Sequence, residues 1–252
     1  MTRLALTAAA LAASLAAASP ASAQDNPPTA AQPVETVSVS TIKDPALRPY
    51  RRMMRGLDAW DEQHGALAPN ASLRFELLTQ DGQAAAPDGL VLRIAGDQVD
   101  LALPLDPDAT FVLPRSQEAL DDNADLILNR KKDQFRWRPR VRTPGVPDNA
   151  RRLGDLRMEC EVSSAVRKEE IPLLYRAGAV AAGGMCRLPM VGYVYRAPRR
   201  LASATVVSGA RREALGLHDN GAAYMAPLRD KSWDNDALVV YEFADAKPAG
   251  TP

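Results

Sequence analysis

The stretch LVLRIAGDQVDLALPLDPDATFVLPRSQEALDDNADLILN, Leu90 to Asn129, decides how this chain is read. Its short apolar or alternating runs, LVLRIAG, VDLALPL, TFVLP and DLILN, are separated by GD, DPD and a segment, SQEALDDN, suited to a short helical turn. A period of two sends successive side chains to opposite faces of a pleated strand, and Gly, Asp and Pro break the runs into hairpins. The pattern predicts an antiparallel sheet or sandwich.

Working outward, SLRFELLT and FRWRPRVR read as further strands. Before them, DPALRPYRRMMRGLDAWDEQHG predicts one helix, with Asp44 as N-cap, Pro45 at the first helical position and Gly65 just past the end. Tyr50, Met53, Met54, Leu57 and Trp60 then share a core-facing side, and Arg51, Arg52, Arg55 and Asp58 face water. Further on, LRMECEV alternates like a strand, with Leu156, Met158, Cys160 and Val162 on its buried face. IPLLYRAGAVAAGG predicts an apolar helix with Pro172 near its start and glycines at its end. Strand-like runs return in MVGYVYR, LASATVVSG, AAYMAPL and LVVYEFA.

Shifting the chain by 113 residues lays Val91–Leu128 on Ala204–Tyr241 without a gap. Gly96 meets Gly209, Asp106 meets Asp219, Pro114 meets Pro227, and Phe111 falls on Tyr224. The expected class is therefore α+β, mainly β, as two related units of a helix plus an antiparallel sandwich, spanning 44–145 and 146–247. A Pro- and Ala-rich lead with a first strand, VETVSVSTI, occupies 24–43, and a tail covers 248–252.

The first 23 residues combine Arg3, the apolar run Leu4 to Leu15 and a small-residue ASA site, the pattern of an export signal. No later run approaches the roughly 20 apolar residues of a membrane helix. An exported product, periplasmic or extracellular, is expected. Its two Cys, Cys160 and Cys186, are then expected to bond each other, and closing that loop stabilises by about 3.5 kcal/mol on the chain-entropy model. With 31 Lys and Arg against 31 Asp and Glu, the chain is balanced in charge, which argues against a dedicated nucleic-acid binder.

The segment PDGLVLRIAGDQVDLALPLDPDATFVLP resembles part of a carboxypeptidase-regulatory-like or transthyretin-like sandwich, in which an apolar strand, a polar turn and a short aromatic-x-Leu-Pro strand follow one another. LHDNGAAYMAPL is similar in the second half, and the arrangement with FRWRPRVRTPGVPDNARRLGDLRMECEV resembles a group of exported bacterial proteins of unassigned function. The resemblance implies an accessory or binding module rather than a catalyst.

Catalytic motifs are missing. His64 and His218 are the only imidazoles, so no HExxH or His cluster exists for zinc, and no GxSxG, SxxK, Walker loop or GxGxxG occurs. Asp121, Asn123 and Asp125 have the opening spacing of a calcium loop, but Leu126 and Lys132 stand where Gly and Glu belong. No cofactor, metal or catalytic residue is expected.

One stretch invites a ligand. In Gln134–Arg142, Arg136, Arg138, Arg140 and Arg142 share one face, and Phe135, Trp137 and Val141 share the other with Pro139. Pro139 lacks an amide donor and favours an edge strand. The bland reading is a wet edge partly neutralised by Glu118, Asp121, Asp122 and Asp125; the sharper one is an anion-binding face, extended by Arg151 and Arg152, for envelope polymers or phosphorylated lipid headgroups. The expected role is a non-enzymatic binding or structural protein of the envelope, partnered by an anionic polymer or another envelope protein. The alternative is an envelope-acting hydrolase with paired carboxylates, which have no fixed spacing along a chain.

Overall fold

The structure, a computed structural model, describes residues 43–80, 82, 88–188 and 193–244. The export signal, the lead, VETVSVSTI, the start of MVGYVYR and the tail lie outside them. Strand β1 (Pro45–Pro49) runs straight into helix α1 (Tyr50–Leu67). Strands β2 (Ser72–Thr79), β3 (Leu92–Ala95), β4 (Asp100–Leu103) and β5 (Thr110–Phe111) follow, then the short helix α2 (Gln117–Asp121), β6 (Asp125–Lys131) and β7 (Phe135–Arg142). The second half opens likewise, with β8 (Ala150–Arg152) entering α3 (Leu153–Val166), and continues through α4 (Leu173–Ala182) and β9 (Val194–Arg196). It closes with β10 (Leu201–Ser208), β11 (Arg211–Ala214), β12 (Leu217–His218), β13 (Ala223–Met225) and β14 (Leu238–Phe243). The class is mixed α+β with more strand than helix, and every described strand pairing is antiparallel.

Two four-stranded sheets have the orders β1-β6-β3-β4 and β8-β14-β10-β11, and two three-stranded sheets the orders β5-β2-β7 and β12-β13-β9. In the first, Leu92 faces Leu128 and Ile94 faces Leu126; in the second, Ala204 faces Tyr241 and Val206 faces Val239. Phe75 pairs with Phe111, and Tyr195 with Tyr224. All twelve of these side chains are buried. One core gathers α1, β2, β3, β6 and part of α3 around Tyr50, Met53, Phe75 and Phe111. The other gathers β10, β13 and β14 around Tyr195, Tyr224, Trp233 and Tyr241.

Three local expectations are corrected. The first helix starts at Tyr50 rather than Pro45: Pro45–Pro49 pairs with β6 instead, and the Tyr50 amide donates to Ala124 O at 2.9 Å. Sheet pairing overrides the capping signal, and Asp44 adopts φ 59° at the strand's entrance. Gly65 does not end this helix either, which continues to Leu67. Its carbonyl end is held from the second half, where Arg152 donates to Leu67 O at 2.6 Å and Asn235 to Ala66 O at 3.0 Å; a cation there also suits the helix dipole.

LRMECEV is not a strand but the middle of α3. Leu156, Met158, Cys160 and Val162 are buried as expected, yet so are Asp155 and Glu159. The helix is enclosed on several sides. Against α1 the approach is close: a Cβ on Gly56 would lie 2.7 Å from Val166 and 3.2 Å from Val162. Against β7, α3 presents its carboxylates. The Val141 amide donates to Glu159 at 2.8 Å and the Thr143 amide to Asp155 at 2.8 Å. These are outward-pointing groups of an edge strand, and in the alternation of an antiparallel ladder Pro139, which has no amide to offer, takes the preceding outward position.

The Cys160–Cys186 disulfide ties α3 to the turn after α4, with Cα atoms 6.0 Å apart. Reduction of the native protein should lower the melting temperature, in line with about 3.5 kcal/mol of lost loop constraint; an unchanged melting curve would show the bridge to be dispensable. Removing a single carboxylate should cost as much. Glu159→Ala leaves the Val141 amide without an acceptor and the half-buried Arg151 guanidinium without its counter-charge, so urea titration should show a loss of about 3–5 kcal/mol, against under about 1 kcal/mol for an exposed pair such as Arg115–Asp58.

Candidate anion-binding groove

The four arginines of β7 do not act together. The register of β7 with β2 sets Arg142 opposite Ser72, Arg140 opposite Arg74, Arg138 opposite Glu76 and Arg136 opposite Leu78, so these eight side chains share one face of the sheet. Arg140 is committed to Asp108 at 2.5 Å, and Arg142 donates to Ala150 O at 3.1 Å. Burial, followed by repulsion from Arg151 and Arg140, lowers the pKa of the Arg142 guanidinium. Of the expected neutralising acids, none pairs with this face: the Asp122 carboxylate accepts the amides of Gln98 and Val99, and Asp121 accepts from Gln117.

Arg151 and Arg152 do not extend the face either. Arg151 is ion-paired with Glu159 at 2.5 Å and donates to Val141 O at 3.2 Å. Burial alone would lower its pKa, but the Glu159 carboxylate raises it well above its ordinary value, so it stays a cation. Arg152 donates to Asp236 and Leu67 O. Both are internal partners.

Arg136 and Arg138 have a different setting. They line an open groove of about 660 Å³ together with Arg48, Arg167 and Arg196, with Asp133, Glu170, Asp219 and His218 in the same walls. Arg48 and Arg167 share Glu170 at 3.6 and 3.1 Å, and Arg196 pairs with Asp219 at 3.3 Å. Gly82, at φ 86°, leaves the space that the Arg196 side chain fills. Arg136 donates to the neutral Gln80 at 2.9 Å, and Arg138 has no hydrogen-bond or ion-pair partner among the described residues. Tyr193 forms part of the wall, its hydroxyl donating to Ser163 at 2.6 Å and its ring 4.9 Å from that of Tyr195. Burial raises its pKa above the ordinary phenol value, so it presents a neutral aromatic surface.

Chain order alone could not indicate this groove. Arg48 belongs to the segment expected to be helical, Arg167 follows α3, and Arg196 ends a three-residue strand. Only the packing of β1, β7, β9 and the turn after α3 brings them together. His64 takes no part: it stacks on Trp60 at 4.8 Å in the last turns of α1. Among the described residues no group of three or more His, Cys, Asp or Glu is arranged to hold a metal ion.

A carboxylate with a displaced pKa does exist on the same sheet face. Glu76 is half-buried, and burial together with the nearby Glu159 raises its pKa despite Arg138, Arg140 and Arg151. Neither Glu76 nor Glu159 lines any of the clefts described. Comparison with family models, with curated proteins and with solved structures returns no match.

Because the folded-state pKa of Glu76 lies above its unfolded value, the native protein holds this proton where the unfolded chain has already lost it. Stability from this group is therefore complete below the ordinary glutamate value and declines as pH rises through the raised one. Glu76→Gln should accordingly gain on the wild type across that window and lose the advantage in acid, as read from urea midpoints on both sides of it. An advantage that grows towards acid would mean that Glu76 acts as a bound anion.

Proposed function

We propose that this chain is an exported, non-enzymatic binding protein of the cell envelope, built from two related helix-plus-sheet units, which takes an anionic envelope polymer in the groove lined by Arg136 and Arg138. The observation that carries this reading is the groove itself. Five arginines face three carboxylates there, and Arg138 is uncommitted. Guanidinium forks suit the paired oxygens of phosphate and carboxylate groups. A groove open along its length suits a chain better than a small enclosed ligand.

Relatedness of the two units is supported by the matching order of the two four-stranded sheets and by three matching pairs of opposed side chains. β6 and β14 start at Asp125 and Leu238, and β5 and β13 at Thr110 and Ala223, each 113 residues apart; the buried positions of β3 and β10, Leu92 and Ala204, are in step at 112. Export is supported by the leader pattern and is consistent with the disulfide.

The alternative, a hydrolase with paired carboxylates, draws on Glu76 beside Glu159. Glu159 is already spent on the Val141 amide and Arg151, so it has little freedom to act as base or nucleophile.

Two double variants separate the halves of the arginine row. Arg136→Gln with Arg138→Gln should fold normally and lose low-salt retention on immobilised heparin, a generic sulfated and carboxylated polymer. Wild-type retention should fall as added salt shortens the Debye length to roughly 8 Å and below. Arg140→Gln with Arg142→Gln should keep retention but lose about 1.5–3 kcal/mol of stability, the usual worth of a hydrogen bond to a charged group. Equal retention by all three proteins would remove the groove reading.

A further inference from the structure

Helix α4 turns its apolar side outward. At about 100° per residue, Leu173, Leu174, Ala177, Val180 and Ala181 fall within one arc of about 120°, and all five are exposed. Leu173, Leu174 and Val180 show 73%, 81% and 84% of their surface. The opposite side is the packed one, where Ala179 is buried and Gly178 meets Leu188. No charged or polar residue interrupts the outward stripe. A helix on a water-facing surface ordinarily shows the reverse pattern, and a contiguous apolar stripe marks an interaction face.

The surroundings of this stripe are cationic. Arg167 and Lys168 precede the helix, Arg176 lies on its flank and Arg187 follows it, three of them exposed and Arg176 half-exposed. The two acids of the same segment are already engaged, Glu169 with Arg52 and Arg55, Glu170 with Arg48, Arg52 and Arg167. An apolar stripe rimmed by basic groups complements a surface that is apolar within and anionic outside. A second copy of the chain fits worse: a two-fold contact sets the patch against itself, and the basic rims would then repel. At ten residues α4 is about 15 Å long, half of the roughly 30 Å hydrocarbon layer, so its geometry suits lying in the interface.

We propose that α4 docks this protein on the surface of an anionic lipid bilayer, with Leu173, Leu174 and Val180 entering the acyl boundary, and Arg167, Lys168, Arg176 and Arg187 over the phosphates. Two weak signals, apolar insertion and a basic rim, combine here as membrane attachment without a span requires. The proposal does not depend on the groove.

The test is co-sedimentation with vesicles of phosphatidylcholine alone or mixed with phosphatidylglycerol. The wild type should partition onto the mixed vesicles and far less onto the neutral ones. Leu173→Gln, Leu174→Gln and Val180→Gln together should reduce that partition by at least roughly tenfold, since burying even one such side chain corresponds to about that factor. Because these residues are exposed, the variant should keep its disulfide, its melting temperature and its heparin retention. Failure of the wild type to bind mixed vesicles would overturn the proposal, as would undiminished binding by the variant. A wild-type dimer that the variant dissolves would overturn it in favour of a contact between copies. Heparin retention in any of these cases would leave the groove reading standing.

Discussion

A single buried carboxylate, Glu159, holds the two halves of the described chain in register. It accepts the outward amide of Val141 and is neutralised by Arg151, so strand β7, helix α3 and strand β8 meet at one group. An edge strand covered by a helix cannot leave its amides unpaired, because a buried donor without an acceptor costs roughly 1–3 kcal/mol. Water is excluded here, and a neighbouring strand is not available. The acceptors must come from side chains. Asp155 performs the same task for Thr143 one turn earlier, and Pro139 removes the need at the next outward position. Burying a carboxylate is itself unfavourable, and Arg151 offsets that cost with a charge held between Glu159 and the Val141 carbonyl.

That arrangement accounts for the hardest part of the sequence to read. An amphipathic helix is recognised by polar residues on its outer side, but α3 packs on α1, on β7 and, through Cys160, on the turn after α4. Its polar residues are needed inside. With Glu159 buried as well as Met158 and Cys160, no helical period survives, and the accidental alternation of LRMECEV imitates a strand. The start of α1 is obscured for a related reason: Asp-Pro is a sound capping signal in isolation, but residues 45–49 gain a strand partner in β6 that only the folded sheet provides.

Most of the sheet was legible because its strands carry their own evidence. SLRFELLT, LASATVVSG and LVVYEFA alternate or run apolar between clear turn residues, and each supplies a strand. Ser116 acts as the N-cap of α2 through its hydroxyl, which accepts the Ala119 amide at 3.1 Å, a purely local interaction and therefore visible locally. The arginine row was legible as a row and illegible as a site. Alternation gives the shared face of Arg136 to Arg142, but nothing local distinguishes an arginine that will meet Asp108 from one that will not.

The contacts of the folded face supply the distinction. A neighbouring guanidinium that is committed to a carboxylate stabilises its ionised form. Asp108 behaves so: burial works against ionisation, yet hydrogen bonds from Thr110 and Arg140 hold its pKa below the ordinary value. Glu76 stands directly across the ladder from Arg138, and its pKa is raised. Arg138, Arg140 and Arg151 all favour its ionised form, but burial and the Glu159 charge outweigh them. Arg138 nevertheless makes no hydrogen bond or ion pair with Glu76 or with another described residue, whereas Arg140 is held by Asp108, and the Arg138 guanidinium stands in the wall of the groove.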